Sequence, residues 1–226
     1  MAAKPRAAIS WSGGKDSCAA LQRALEGFDV VAMVTMCDEE AGRSRSHGLR
    51  SEVLDAQAER LGVRRVWRAC AWADYDAAFA DALAEAARDG VTHVIFGDIL
   101  FDEHRRWAEQ ACAPHRLTAV EPLFGSSTTA LFEAWTAAAN DAVIVTARAE
   151  CLDDSWLGRP LRRAMLAELL ERGVDPCGER GEYHTVVTRS PLFSRPIAFE
   201  LGDRVHRSGC WAIDIRIADC GLRVAG

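Results

Sequence analysis

Residues 12 to 17 read Ser-Gly-Gly-Lys-Asp-Ser, and these residue types in this order suit a phosphate chain. Two adjacent glycines let a backbone turn sharply and come close to a ligand. A helix beginning directly after such a turn presents unpaired N–H groups and a partial positive charge. The hydroxyls of Ser12 and Ser17 add donors and Lys15 adds a full charge, so Ser12, Gly13, Gly14, Lys15, Asp16 and Ser17 together fit a di- or triphosphate. Asp16 repels phosphate, which leaves it two readings: a ligand for Mg²⁺ bridging phosphate oxygens, or a helix cap. A Walker A loop would need Gly at position 9, where Ile stands, and Ser or Thr at 16, where Asp stands. G-x-G-x-x-G is absent here too, so a dinucleotide reading is poor.

Further chemistry-bearing residues lie downstream. Asp98 follows the apolar run Val94 to Phe96, and ligands in open α/β sheets bind beyond the carboxyl ends of strands. Asp98 is thus a second candidate for metal or acceptor binding, its alternative being a loop-forming Asp. Glu179 and Glu182 flank Gly181 in a turn-rich stretch, where carboxylates can orient an amine or accept its proton, or form a solvated acidic turn. Tyr183 either meets an acceptor or packs as a ring. His47 follows the polar stretch Glu39 to Ser46, which either closes over a site or leaves His47 a surface residue. His93, His104, His115 and His206 form no metal-ligand spacing and receive no role. Arg105-Arg106 and the segment Arg159 to Arg163 are the basic clusters, either solvated faces or contacts to an anion. Trp67, Trp107, Trp135 and Trp156 read as core or half-exposed anchors rather than a base-stacking platform.

Ser12 to Ser17 resembles the S-G-G-x-D-S loop of the ATP pyrophosphatase superfamily, the PP-loop. Gly97-Asp98-Ile99, then Arg106, Glu109, Cys112, Leu117 and Pro122-Leu123, is similar to one block of the diphthine–ammonia ligase family. Cys177-Gly178-Glu179-Arg180-Gly181-Glu182-Tyr183-His184-Thr185, followed by Pro191-Leu192-Phe193, is similar to another. A weaker match runs from His47-Gly48 to Gln57-Ala58 and Leu61-Gly62. The resemblance covers nearly the whole chain in the family's order. It implies that Gly97 joins the loop in binding ATP and that Lys15, Asp98, Glu179 and Glu182 carry catalysis. His47, Tyr183, His184 and Thr185 would meet the acceptor, and Asp16 and Asp98 would hold Mg²⁺. It implies an ATP-dependent amide ligase that adenylates a carboxylate, releases pyrophosphate and lets ammonia attack; in the family that carboxylate is diphthine on translation elongation factor 2. Two departures, Arg180 for a second glycine and His184 for a glutamate common in eukaryotic members, put the acceptor in question more than the ATP chemistry. Ala- and Arg-rich usage hints at a GC-rich bacterial genome, in which case the acceptor differs. A tRNA-modifying PP-loop enzyme and a non-catalytic ATP-binding sensor are the alternatives.

These groups need a scaffold, and the hydrophobic pattern supplies one. Ala7 to Trp11, Val30 to Met36, Val63 to Trp67 and Val94 to Phe96 read as strands. Between and after them lie helical patterns at Cys18-Leu21-Leu25, Leu49 to Leu61, Phe79-Leu83-Ala86 and Trp107 to Cys112, with Gly27, Gly62 and Gly90 as stops. The order βαβαβαβα predicts a doubly wound, mainly parallel sheet, a Rossmann-like PP-loop domain. Beyond about Pro122 the pattern predicts a smaller α+β domain, with helices at 129–139 and from Leu161 to Leu169. Its strands are expected at 142–147, 185–187 and 213–217. The boundary is placed near 125, giving 1–125 for ATP and 126–226 for the acceptor.

Composition narrows the classes. The chain has 226 residues, 49% hydrophobic and 27% charged, so it can bury a sizeable core without staples. A net charge of −6 argues against a broad nucleic-acid surface. The eight cysteines contain no C-x-x-C pair and read as free thiols in a reducing cytoplasm, neither a zinc nor a disulfide framework. The start has no apolar signal region and no apolar run is long enough to span a membrane. The expected partners are ATP, ammonia and a carboxylate-bearing acceptor; a homo-oligomer remains open.

Overall fold

A computed structural model describes residues 3–218. Its first half alternates β1 (Arg6–Ser10), α1 (Lys15–Ala24), β2 (Asp29–Asp38), α2 (Ser51–Leu61), β3 (Arg64–Cys70), α3 (Tyr75–Arg88), β4 (His93–Ile95), α4 (Asp102–Cys112) and β5 (Thr118–Val120). The five strands form one sheet in the order β3-β2-β1-β4-β5, every pairing parallel. Ala7, Ala8 and Ile9 are wholly buried because helices cover both faces of the central strand. On one face Phe79, Leu83 and Ala108 from α3 and α4 pack against Ala8, Val34 and Val94. On the other, Leu21 from α1 and Leu54 from α2 pack against Ile9 and Met33. Gly62 ends α2 in the left-handed region at φ 69, as its position after Leu61 predicts.

The second half comprises α5 (Thr128–Ala137), β6 (Asp141–Arg148), α6 (Met165–Glu171), β7 (Tyr183–Arg189), β8 (Phe199–Arg207) and β9 (Cys210–Ile217). Its strands form an antiparallel sheet in the order β7-β6-β9-β8. The buried cluster of the first half continues into this sheet, joining Ile9 and Leu21 to Ile144 and Val186.

Three expectations need correction. The helix placed from Leu161 begins at Met165 instead; Pro160 bridges Val143 and the Leu161 amide donates to the Ala142 carbonyl, so these residues extend the sheet edge. β8 was not expected, because it is an edge strand whose residues are mostly exposed and show no clean apolar alternation. β5 was not expected because Thr118-Ala119-Val120, on the edge of the sheet and only partly buried, forms no apolar run of the kind that marks the equally short β4. Seven cysteines are free thiols in the structure, four of the seven at the sheet or helix faces of the first half; Cys220 lies outside the described residues. No helix among the described residues is long and apolar enough to cross a membrane.

Candidate active site

The β1–α1 loop lies at the carboxyl end of the parallel sheet, next to the point where strand order reverses between β1 and β4. Gly13 turns the chain at φ 89, a region that side chains resist. Gly14, extended, is the N-cap of α1 and no side chain caps the helix, so Asp16 sits inside the first turn and is not a cap. The first intrahelical bond runs from the Cys18 amide to the Gly14 carbonyl at 3.3 Å, which leaves the Asp16 and Ser17 amides ahead of it without an intrahelical acceptor. The Ser12 and Ser17 hydroxyls stand 3.3 Å apart beside these amides.

Three close approaches shape the loop. A Cβ on Gly97 would lie 3.0 Å from the Ser17 nitrogen and 3.0 Å from the Asp16 carbonyl carbon, so the end of β4 touches the first turn of α1. A Cβ on Gly14 would lie 2.3 Å from Cε1 of His47 and 3.1 Å from the Thr185 carbonyl oxygen. Behind the loop, wholly buried Gln57 accepts from Trp11 Nε1 at 2.7 Å and donates to the Gly13 carbonyl at 3.0 Å and the Val187 carbonyl at 2.9 Å. The Val187 amide also donates to the Gly13 carbonyl, at 2.9 Å. The loop is therefore clamped between α2 and β7.

Lys15 has a more occupied surrounding than its sequence reading implies. Its ammonium is buried, pairs with Asp16 at 2.8 Å, donates to the Cys177 carbonyl and lies 5.1 Å from the centre of the Tyr183 ring. Burial works against its charge, but Asp16, Tyr183 and Cys177 outweigh that and hold its pKa above the ordinary lysine value. The Lys15 amide donates to Thr185 Oγ1 at 3.1 Å. Tyr183 is a packed ring, its hydroxyl donating to the Pro176 carbonyl.

A cavity of about 290 Å³ is lined by Ser12, Lys15, Asp16 and Ser17, by Gly97 and Asp98, and by Glu179, His184 and Thr185. A neighbouring cavity of about 720 Å³ shares Ser10, Ser46, Phe96, Asp98 and His104 with it, and adds Trp72, Tyr75 and Trp107. Glu179 accepts from the Ile99 amide at 3.2 Å; burial, then the Asp16 charge, raise its pKa to about 7. Glu182 does not line the cavity; its carboxylate accepts from the amides of Asp175 at 3.2 Å and Arg180 at 3.0 Å and braces the 175–182 turn. The Arg180 side chain is exposed and lines neither cavity.

His47 is buried, not a surface residue, and its ring stacks on His184 with centroids 4.6 Å apart. Nδ1 of His47 lies 2.7 Å from the Thr185 carbonyl. Burial and then the neighbouring His184 hold His47 well below the ordinary value; burial and then Lys15 lower His184 to about 4, so both rings are neutral at neutral pH.

The residues to which the sequence reading gives no site role are mostly aromatic or basic. His104, given no role from spacing, pairs with Asp98 at 2.9 Å on the cavity wall. Trp72, Tyr75 and Phe96 line the larger cavity with Trp107, whose Nε1 donates to Asp76. Trp107 and Tyr75 stand on the periodic faces of α4 and α3, Tyr75 stacking on Phe79; Trp72 lies in the turn just before α3 and Phe96 just after β4. The segment Arg159 to Arg163 lies elsewhere: Arg159 pairs with Glu168, Arg162 with Asp141 and Arg163 with Glu133.

Comparison with known proteins gives a consistent family. Residues 5–118 match the model of the diphthamide synthase N-terminal domain and residues 127–217 that of the C-terminal domain. Curated relatives include diphthine–ammonia ligases of Rattus norvegicus, 27% identical, and Mus musculus, 28% identical, each covering 90% of this chain and 86% of its own length. The human protein of the same description is 25% identical over 90% of this chain and 86% of its own length. A solved structure from Methanocaldococcus jannaschii, described as a predicted subunit of tRNA methyltransferase, aligns with a TM-score of 0.42 at 17% identity, covering 85% of this chain and 100% of its own. With both domain models matched in order along its length, the chain belongs to the diphthamide synthase family and is an ATP-dependent ligase.

Proposed function

We propose that this ligase joins ammonia to a carboxylate through an acyl adenylate. The carboxylate attacks the α-phosphorus of ATP and pyrophosphate leaves. Ammonia then attacks the acyl carbon, AMP leaves with the former carboxylate oxygen, and the nitrogen sheds a proton. Adenylation replaces oxide, a poor leaving group, by AMP. The free amides of Asp16 and Ser17, with the Ser12 and Ser17 hydroxyls, would hold the β- and γ-phosphates. Lys15 would face the same phosphates only by loosening its contact with Asp16, so its main part is to fix the loop against Cys177 and Tyr183. The larger cavity would take the adenosine among Trp72, Tyr75 and Phe96.

Asp16 and Asp98 both line the phosphate cavity with part-exposed carboxylates, 28% and 30%. That fits Mg²⁺, which uses one or two carboxylates and completes its shell with phosphate and water. Bound there, the ion would neutralise charge on the phosphate oxygens. Glu179 is the carboxylate suited to receiving the proton from nitrogen, because it faces the cavity and titrates near neutrality. The division of labour proposed is 1–125 for ATP and 126–226 for the acceptor.

The observation carrying this reading is that the free amides of α1, Asp98 and Glu179 meet in one cavity. The test is incubation with ATP, Mg²⁺ and ammonium, with and without carboxylate acceptors; diphthine, named in the relatives, is the first to try. AMP and pyrophosphate are expected. ADP and phosphate would refute the reading.

A further inference from the structure

His47 lines a second cavity as well as the phosphate cavity. This second one has a volume of about 590 Å³ and runs between the segment before α2 and the strands β8 and β9. Its charged lining is Arg43, Arg50, Arg207 and Arg216 against Asp203 and Asp214. Four cations against two anions leave an excess of two positive charges, on a chain whose net charge is −6.

One carboxylate carries most of the pairing. Asp214 accepts from Arg50 at 2.7 and 2.9 Å, from Arg43 at 2.9 Å and from Arg216 at 3.1 Å. Each guanidinium has five N–H donors, and three guanidiniums cannot all be satisfied by two oxygens. Arg43 Nη1 is also used, on the Gly48 carbonyl at 2.9 Å, but the side chains keep 33%, 36% and 53% exposure for Arg43, Arg50 and Arg216, and all three line the groove. Arg50 is itself the N-cap residue of α2. Thr146, whose hydroxyl has no hydrogen-bond partner, is a further lining residue.

We propose that this groove binds an anionic group of the acceptor, one that carries two or more carboxylates or phosphates. Guanidiniums already oriented by Asp214 lose little side-chain freedom on taking a second anion, which favours carboxylate and phosphate forks. The shared His47 wall would then place the acceptor between its anionic anchor and the phosphate loop. This rests on the ligase reading for the acceptor's role, but not for the binding itself.

The test uses the full chain with a non-hydrolysable ATP analogue and Mg²⁺ occupying the phosphate loop. Triglutamate and tricarballylate are titrated by calorimetry at low and at physiological salt. Saturable binding that weakens with salt is expected for at least one. Binding of the peptide alone would identify an acidic polypeptide acceptor, and of tricarballylate alone a small one. Arg207→Gln and Arg216→Gln should each weaken binding about threefold, and together about tenfold. Arg207 lies outside the Asp214 cluster, so Arg207→Gln tests the groove without disturbing that cluster. Saturable binding of neither anion, or binding indifferent to both arginine substitutions, would overturn the proposal. If the anions bind as described and AMP never forms with any acceptor, the ligase reading fails alone. If AMP forms and the acceptor KM is unchanged by both substitutions, the groove proposal fails alone.

Discussion

Glu179 and Glu182 stand three positions apart, yet the fold gives their carboxylates different surroundings. Glu179 faces the cavity with one amide donor and a pKa near 7, whereas Glu182 is spent on two amides of its own turn. Sequence spacing alone could not separate them, because in a turn each extra residue redirects the side chain with no fixed period. With free ammonia held constant, the acyl-transfer rate at limiting acceptor should therefore rise with pH through about 7, as Glu179 loses its proton. Glu179→Gln should abolish that limb. Glu121, also raised to about 7 by burial and then by Asp98, is the control: Glu121→Gln should keep the limb. The stability sign runs the other way. A carboxylate whose folded pKa is raised binds its proton more tightly when folded, so its contribution is present below the unfolded value of 4.5 and lost as pH rises through 7. Glu179→Gln should accordingly be no less stable than the parent at pH 8, which thermal melts would check. Glu182→Ala, by contrast, should cost about 2–3 kcal/mol, because it strands two amides; an unchanged melting temperature would contradict the bracing role.

At the scale of elements, the phosphate loop was legible because its chemistry needs glycines and a helix start in a fixed order. What holds it was less legible, since it comes from distant strands. Gly97 enters the sequence reading only through the family resemblance, as part of the ATP site, but in the fold it is the place where the end of β4 touches α1. Gly97→Ala needs a shift of backbone against backbone, at a cost of about 1–3 kcal/mol. It should also weaken ATP binding by at least tenfold, measured by calorimetry, as the Asp16 and Ser17 amides move. Gln57 makes the same point from α2. It stood in a weak motif match, while its role comes from Trp11 and Gly13 on one side of it in the chain and Val187 on the other, all distant from it in sequence. Gln57→Leu would strand the Trp11 indole N–H, take the Gln57 donor from the Val187 carbonyl and leave the Gly13 carbonyl with the Val187 amide alone, costing about 3 kcal/mol. At about 2–4 °C per kcal/mol for a chain of this size, the melting temperature should fall by roughly 6–12 °C.

On the scale of the whole molecule, the parallel sheet was readable because its strands are buried on both faces and alternate with helices. The second sheet was only partly so: β8 is a solvated edge, and the segment around Pro160 pairs with a sheet although its apolar residues recur at helical spacing. The joint between the sheets left almost no trace in the sequence, since its residues sit on opposite sides of the fold. Asp214 on β9 is its charged part, gathering Arg43 and Arg50 from the first half with Arg216 beside it. Hydrogen bonds from Arg50, Arg43 and Arg216 hold the Asp214 pKa well below the ordinary carboxylate value, against a smaller effect of burial. A depressed folded pKa contributes stability above the unfolded value of 3.8, and that contribution is lost as pH falls toward the folded value. Asp214→Asn should thus cost about 1–2 kcal/mol at pH 7, after allowing for solvent screening of the exposed guanidiniums. It should also remove part of the acid dependence: the gap in urea midpoint between variant and parent should be full at pH 7 and should narrow steadily below pH 4. A gap that stays constant down to pH 3 would mean that the cluster does not tie the halves through charge. Because the buried cluster runs on from one sheet to the other, the loss should lower one common transition, seen alike by near- and far-ultraviolet circular dichroism.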